Sequence, residues 1–445
     1  MKCASKRSFT EDQKITKKIK RDVLPRVEVK SETDSVEYIK VESESDEEIK
    51  TEEPFPLQPA NELLLTLERI LSFYKLNNEL PHHNVVRKPK LKVRPPQNTV
   101  LNIMDLDFSV PLEDQIEMED LYFLHYALTY SKKTVFITGA GISVNSGIPD
   151  FRSANGLFQG LATKTTGSGR NLFDYNLFRD PDSITMFEGM IEKLYNLSRV
   201  AEPSPFHKMI NDVSKQGRLL RLYTQNIDCL DTQLPDLGTK IPLSFNKQET
   251  PKTIQLHGSI SLLNCSKCNY ISELSKEYFN QGRLIRSCPS CEEMNTVRMV
   301  AGKRTQNVGI LRPRIVLYNE FHPDGEVIGT ITEKDLKSKP DCLIVSGTTL
   351  KIPGVRRLVK EMSRAVHSNK GYVIWMNIDE HPQNILDYVD YFDLVIIGDC
   401  QVIPGLVKLY DYTKNLQESK KGRSNVSNTS KSKKVVVKTE KANSL

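Results

Sequence analysis

Nothing in the 445 residues strings together the ~18 apolar side chains that a membrane-spanning helix needs, and the N-terminus lacks a signal-peptide core. These absences predict a soluble, intracellular protein with no membrane partner. Cysteine is too sparse and scattered for a disulfide scaffold. Of eight, Cys3, Cys229, Cys342 and Cys400 stand alone and only four fall into a pattern, the usage of a reducing compartment. Basic charge built into the fold is missing too. The formal net charge of +6 is more than matched by residues 413–445, where nine Lys or Arg face two Glu, so the rest of the chain is close to neutral. That segment reads as a disordered basic tail able to make a weak nucleic-acid contact. Residues 1–95 have few long apolar runs and mix charge blocks with proline, a composition that cannot repay chain entropy by burial, and read as a mostly disordered extension. Residues 60–76 interrupt it with helix-like apolar spacing, suited to a short docking helix or to an N-terminal extension packed on the core.

Between these ends the pattern is α/β. The runs VFITG, LLRLYTQN, RIVLYN, DCLIVSG, YVIWMN and DLVIIG are short, apolar and separated by helical stretches. They predict a Rossmann-like parallel sheet covered on both faces, with ligands at the C-terminal ends of its strands. The catalytic domain is placed at 96–412, with a helical insertion at 155–205 and a cysteine module at 264–305.

Residues 139–152, GAGISVNSGIPDFR, follow the first of these runs. A strand entering Gly139-Ala140-Gly141 lets backbone N–H groups approach a diphosphate, and Ser143 adds a hydroxyl at the start of an expected helix. This is not the ordinary dinucleotide fingerprint. Its third glycine would fall at Val144, and no acid occurs between Asp150 and Asp174. Alone, such a turn is a weak signal. Cys265-x2-Cys268 and Cys288-x2-Cys291, nineteen residues apart, have the spacing of a tetrahedral four-thiolate zinc site. Four thiolates leave no open position, so that zinc is structural and cannot activate water.

The fourteen-residue string resembles the signature of the sirtuins, the NAD-dependent protein-lysine deacylases. Further landmarks follow in the family's order: Thr224-Gln225-Asn226-Ile227-Asp228, His257-Gly258, the four cysteines, Arg312-Pro313 leading to Glu320, Gly347-Thr348-Thr349-Leu350, Asn377 and Gly398-Asp399-Cys400. The resemblance covers roughly residues 112–412. It implies NAD as co-substrate, and His257 as a general base that takes a ribose hydroxyl proton, a task suited to imidazole with its unperturbed pKa of ~6.5. Asn226 and Asp228 are implied at the nicotinamide ribose, with Gln225 and Ile227 beside them. Ile148 and Asp150 would line the carboxamide pocket, Phe151 would shield the sugar carbon and Arg152 would meet phosphate. Gly347, Thr348, Thr349, Asn377 and Cys400 would hold the adenosine end. Val316, Leu317, Tyr318 and Asn319 would flank the acyl-lysine and pair with the substrate backbone. Tyr318-Asn319 departs from the family's Phe-Gly, Thr349 stands where serine is common, and Cys229 where many members have glycine.

These departures and the long polar extensions are similar to those of the fungal nuclear sirtuins acting on histone H3. The implied reaction gives free lysine, nicotinamide and O-acetyl-ADP-ribose. A protein mono-ADP-ribosyltransferase or a non-catalytic chromatin scaffold are the competing readings. Nuclear residence, chromatin silencing and transcription regulation are expected, with Lys6-Arg7 and Lys17-Lys18-Ile19-Lys20-Arg21 resembling a two-part import signal. The tetrads around Lys30, Lys40, Lys50 and Lys438 resemble acceptor sites for a small ubiquitin-like modifier.

Overall fold

The computed structural model describes residues 59–76, 79–82, 88–108, 112–150, 173–280, 283–284, 287–378 and 391–429. Helix α1 (Pro59–Phe73) precedes strand β1 (Thr99–Asn102), and α2 (Met118–Tyr130) leads into β2 (Thr134–Thr138). Next come α3 (Pro181–Val200), α4 (Pro205–Lys215), β3 (Leu219–Thr224) and β4 (Thr253–Gln255). An excursion follows, made of β5 (Gly258–Cys265), β6 (Ile271–Glu273), the two-residue strands β7 (Phe279–Asn280) and β8 (Arg283–Leu284), α5 (Pro289–Val300) and β9 (Leu311–Ile315). The chain returns through α6 (Gly325–Lys337), β10 (Cys342–Ser346), α7 (Pro353–Ser368), β11 (Tyr372–Asn377), β12 (Leu394–Ile397) and α8 (Val402–Thr429).

The main sheet has seven parallel strands in the order β1-β12-β11-β10-β2-β3-β4. Its central strands β2 and β10 are mostly β-branched or apolar and fully buried, which is what a sheet covered on both faces requires. Alternation then sorts side chains between two cores. Phe136, Ile344, Ile374 and Met376 pack with residues of α2, α4 and α8, whereas Val135, Ile137, Val345 and Trp375 pack with α6 and α7. Helix α7 shows the sequence logic. Proline at its first position pre-sets the backbone angle, and Val355, Leu358, Val359, Met362 and Val366 recur at helical spacing on its buried face. From β2 the chain moves outward to β3 and β4, then returns to β10 on the other side of β2. The crevice between the ends of β2 and β10 is therefore a topological switch point, where open α/β sheets bind ligands.

The structure departs from the sequence reading in two places. RIVLYN does not join the parallel sheet; β9 runs antiparallel to β5 in a separate three-stranded sheet that carries the cysteines, while β1 and β4 complete the main sheet. Apolar content alone does not distinguish one sheet from the other. Among the described residues no α-helix opens at the glycine turn, which becomes two 3-10 turns, Ala140–Ile142 and Val144–Ser146, ended by Gly147 at φ 81°. The 60–76 stretch of helix-like spacing forms α1, which packs on the core. Leu67 of α1 is buried against α8, where Gly405 leaves room for it because a Cβ there would sit 2.6 Å from Leu67 Cδ2. Helix α8 itself runs to Thr429. The segments around Lys30, Lys40, Lys50 and Lys438, and the basic pairs before Val23, lie outside the described residues. Among the described residues no helix is long and apolar enough to cross a membrane.

Because Leu67 is closed in on all sides, Leu67→Ala is expected to cost about 2–4 kcal/mol. Urea unfolding should show a lower midpoint with an unchanged slope.

Candidate active site

The loops after β2 and β10 meet backbone to backbone. Gly139 N–H donates to Ser346 O at 3.0 Å and Gly141 N–H to Gly347 O at 2.9 Å. A Cβ on Gly139 would lie 2.7 Å from Gly347 O, and one on Gly141 would lie 2.8 Å from Gly347 Cα. The Gly139 and Gly141 N–H groups thus hold the two loops in direct contact.

The turn after β3 completes the site. Gln225 Nε2 donates to Thr138 O at 3.1 Å and to Thr348 Oγ1 at 2.9 Å, tying the ends of three strands together. Asn226 is buried, and its Nδ2 donates to Ser143 Oγ at 3.1 Å. Its Oδ1 has no hydrogen-bond partner among the described residues. An orphaned buried acceptor costs on the order of 1–3 kcal/mol, and a sugar hydroxyl is a donor of the right kind to satisfy it. His257 follows β4, with Nδ1 3.0 Å from Gln225 O. A carbonyl only accepts, so Nδ1 carries the proton in the neutral ring and Nε2 is its basic nitrogen. Asp228 is buried, accepts from Leu230 N–H at 3.0 Å and from the Ser143 hydroxyl, and has its pKa raised chiefly by burial. The residues implied for NAD therefore fit its ribose at Asn226, Asp228 and His257.

Thr348 is buried, and Asn377 at the end of β11 donates from Nδ2 to Thr348 O at 3.2 Å. Thr349 is half-buried. The Cys400 thiol, after β12, is buried and pushed up by desolvation. Ile148 and Ile227 are buried and Asp150 is half-buried. Phe151 and Arg152 lie outside the described residues.

Val316–Asn319 lies directly beside His257, since Val316 N–H donates to His257 O at 2.9 Å. Its edge is already engaged within the chain. Tyr318 N–H bonds Phe173 O at 2.6 Å, Tyr175 N–H bonds Tyr318 O at 3.0 Å, and Leu317 N–H bonds Glu320 Oε2 at 3.2 Å. A peptide laid against this segment finds the Val316, Leu317 and Tyr318 donors taken. The departure at Asn319 has a physical reason. The residue sits at φ 63°, which asparagine tolerates, and its Nδ2 donates to Asp174 Oδ2 at 2.6 Å. Arg312 pairs with Glu320 and stacks over Tyr175 and Phe178.

Sequence reasoning missed the supports of the site: Asp174, Ser204, His207 and Asp231. The one available signal was Ser204-x-x-His207, a capping box with histidine in place of the usual Glu or Gln. Burial pushes Asp231 up to about 7 and His207 down to about 4.

In the cysteine module, Cys265 Sγ lies 3.9 Å from Cys291 Sγ and Cys268 Sγ lies 3.6 Å from Cys288 Sγ, with all four sulfurs within 4.8 Å of one another. Disulfides would need about 2.05 Å. A zinc tetrahedron with bonds of about 2.3 Å has sulfur edges of about 3.8 Å, a value bracketed by the 3.6 Å and 3.9 Å pairs. Lys267 N–H approaches Cys265 Sγ at 3.3 Å, and a Cβ on Gly309 would stand 2.2 Å from the same sulfur. The four cysteines can bind one structural zinc. Removing one ligand should cost metal and fold together: Cys288→Ser is expected to purify with less than a tenth of the wild-type zinc and to lose its cooperative thermal transition. A colorimetric zinc assay beside calorimetry checks this, and a cooperatively folded, zinc-free Cys288→Ser protein contradicts it.

A profile of the Sir2 family matches residues 139–354. The NAD-dependent histone deacetylase HST4 of Saccharomyces cerevisiae is 46% identical over 335 residues, covering 72% of this chain and 88% of that protein. The NAD-dependent protein deacetylase hst4 of Schizosaccharomyces pombe is 48% identical over 288 residues, covering 64% and 68%. A solved Sir2 homolog in complex with NAD is similar at a TM-score of 0.49 and 23% identity, covering 65% of this chain and 94% of that one. With a relative matched at that identity over most of its length, and with the glycine loop, the Asn-Ile-Asp turn and the four-cysteine site in one structure, this chain belongs to the Sir2 family.

Proposed function

We propose that the protein is an NAD-dependent protein-lysine deacetylase whose substrate is an acetylated histone, histone H3 in nuclear chromatin. The observation that carries the reading is the juxtaposition of His257, oriented by the Gln225 carbonyl, with the unpartnered amide oxygen of Asn226 at the switch point of the sheet. When bound, NAD supplies a sugar carbon from which nicotinamide leaves and a sugar that accepts the acyl group.

The chain's own residues do the rest. Nε2 of His257 takes a proton from a sugar hydroxyl, while Nδ1–H stays on the Gln225 carbonyl and fixes the ring. Asn226 Oδ1 accepts from the sugar, and the Asn226 amide is held from behind by Ser143. Thr348, Thr349, Asn377 and Cys400 hold the adenosine end, and Val316–Asn319 lines the acyl-lysine. Ile148 and Asp150 border the carboxamide, with Phe151 and Arg152 proposed beside them. The histone assignment is supported by relatives named histone deacetylases, HST4 and HST3 of S. cerevisiae among them. These names also weigh against a mono-ADP-ribosyltransferase or a scaffold. Action on chromatin, a weak nucleic-acid contact through the basic tail, and modifier conjugation at Lys30, Lys40, Lys50 and Lys438 belong to the same proposal.

On acetylated nucleosomes the wild type is expected to release free lysine and acetyl-ADP-ribose only when NAD is added, as read by mass spectrometry. His257→Ala should retain under a few per cent of kcat, with its zinc content unchanged and its NAD affinity within about threefold of wild type, since the base acts after binding. Higher residual turnover would assign the proton to another group.

A further inference from the structure

Gln401 is 1% exposed, and the mechanism above makes no use of it. It lies in the turn between β12 and α8, between Cys400 and Val402. A long amide buried this deeply needs partners at both ends, and Gln401 finds them on two different elements. Its Oε1 accepts from Phe206 N–H of α4 at 2.9 Å, and its Nε2 donates to Ile142 O in the glycine loop at 3.0 Å. The partners dictate this orientation, since a backbone N–H only donates and a carbonyl only accepts. Each contact completes something the local sequence leaves open. Pro205, at the first position of α4, has no N–H, and Ser204 caps the third position, so the donor of the second, Phe206, is left for Gln401. The Ile142 carbonyl also takes the Ser204 hydroxyl at 3.0 Å, and is thereby held from α4 and from the start of α8 at once.

The two loops that meet at Gln401 face different parts of the candidate site. The Ile142 carbonyl belongs to the peptide that leads into Ser143, and Ser143 Oγ accepts from Asn226 Nδ2 at 3.1 Å. This loop therefore holds the residue assigned to the ribose. The other loop is Gly398-Asp399-Cys400, assigned to the adenosine end. Gln401 N–H donates to Asp399 Oδ1 at 3.0 Å and closes that turn on itself. The turn is also anchored from behind: Gly398 N–H donates to Asn377 O at 2.8 Å, and a Cβ on Gly398, whose φ is 135°, would stand 2.3 Å from Ile103 Cγ1. The glycine loop is packed as closely, since a Cβ on Gly347 would lie 2.6 Å from Ile142 N. One side chain of fixed length thus connects two tightly packed loops.

We propose that Gln401 is a positioning residue that sets the spacing between the Ser143 loop, which supports Asn226 at the sugar, and the turn 398–400 at the adenosine end. Both ends of a dinucleotide are then met at once. A ligand that reaches across the cleft senses this spacing, whereas a ligand that occupies one end does not. The advantage is preorganisation: with the two loops already held at the working distance, binding does not have to order them.

The inference rests on the reading of the cleft as an NAD site, and the experiment separates the two. ADP-ribose, and ADP, which lacks the far ribose, are titrated calorimetrically into full-length wild type, Gln401→Met and Gln401→Asn. Methionine matches glutamine in length without its polar ends. Asparagine keeps both polar ends on a stem one carbon shorter and cannot reach both partners. In each variant ADP-ribose is expected to bind about tenfold more weakly and ADP within about threefold of wild type. With NAD as substrate the loss should appear in KM, with kcat changed by less than about threefold. Equal losses for the two ligands would make Gln401 a support of the adenosine end alone and overturn the proposal. Unchanged ADP-ribose binding, or a change confined to kcat, overturns it as well. If Gln401→Met does not fold, Gln401→Asn decides alone. A wild type that binds neither ligand sinks the NAD reading itself, whereas a wild type that binds ADP-ribose but not ADP leaves that reading standing and overturns the spacing.

Discussion

Everything at the candidate site depends on two loops approaching closer than side chains allow. Gly139 and Gly141 lean on Gly347 with backbone atoms where any Cβ would clash, and that contact closes the split between β2 and β10. A parallel sheet that reverses its winding order leaves a gap at the reversal. Here the gap is narrowed from both walls until Gln225 can bridge Thr138 and Thr348. The geometry of Asn226 and His257 is a consequence of that bridge, since each is held by a neighbour in the turn that Gln225 pins.

The second support is inorganic in character. The excursion from β5 to β9 is small and carries an exposed helix, α5, with Met294, Val297 and Val300 facing outwards. Burial alone offers such a module little, and the four clustered sulfurs supply what apolar contact does not. This matters for the site because β9 runs directly into Val316–Asn319. A module fixed at its sulfurs fixes the start of the segment beside His257.

Much of this was legible in the sequence because it is local. Strand cores announce themselves as short apolar runs, and glycine, Asn-Ile-Asp and paired cysteines mark the points where strands end. What stayed hidden is what depends on contact between distant residues. The direction of β9 follows from its pairing with β5, which no property of Leu311–Ile315 encodes. β1 and β4 are three or four residues long and become strands only because neighbours accept them. His207 looks like an ordinary polar residue near a helix start, and the carboxylate it faces, Asp231, lies on another loop. The glycine turn reads locally as a phosphate cradle, and nothing local announces its contact with Ser346 and Gly347, some two hundred residues away.

Asn319 changes the character of the segment it occupies. A glycine at that left-handed position would leave a hinge, with a large entropy to lose each time the segment orders. Asparagine narrows that entropy and, through its amide on Asp174, adds a side-chain bond to the two backbone bonds that Tyr318 makes with Phe173 and Tyr175. The two strips 173–176 and 316–320 are thereby joined into one cooperative opening unit. Opening of either strip has to lift both together, so its rate is set by the cohesion of this pair and not by the looseness of a single loop.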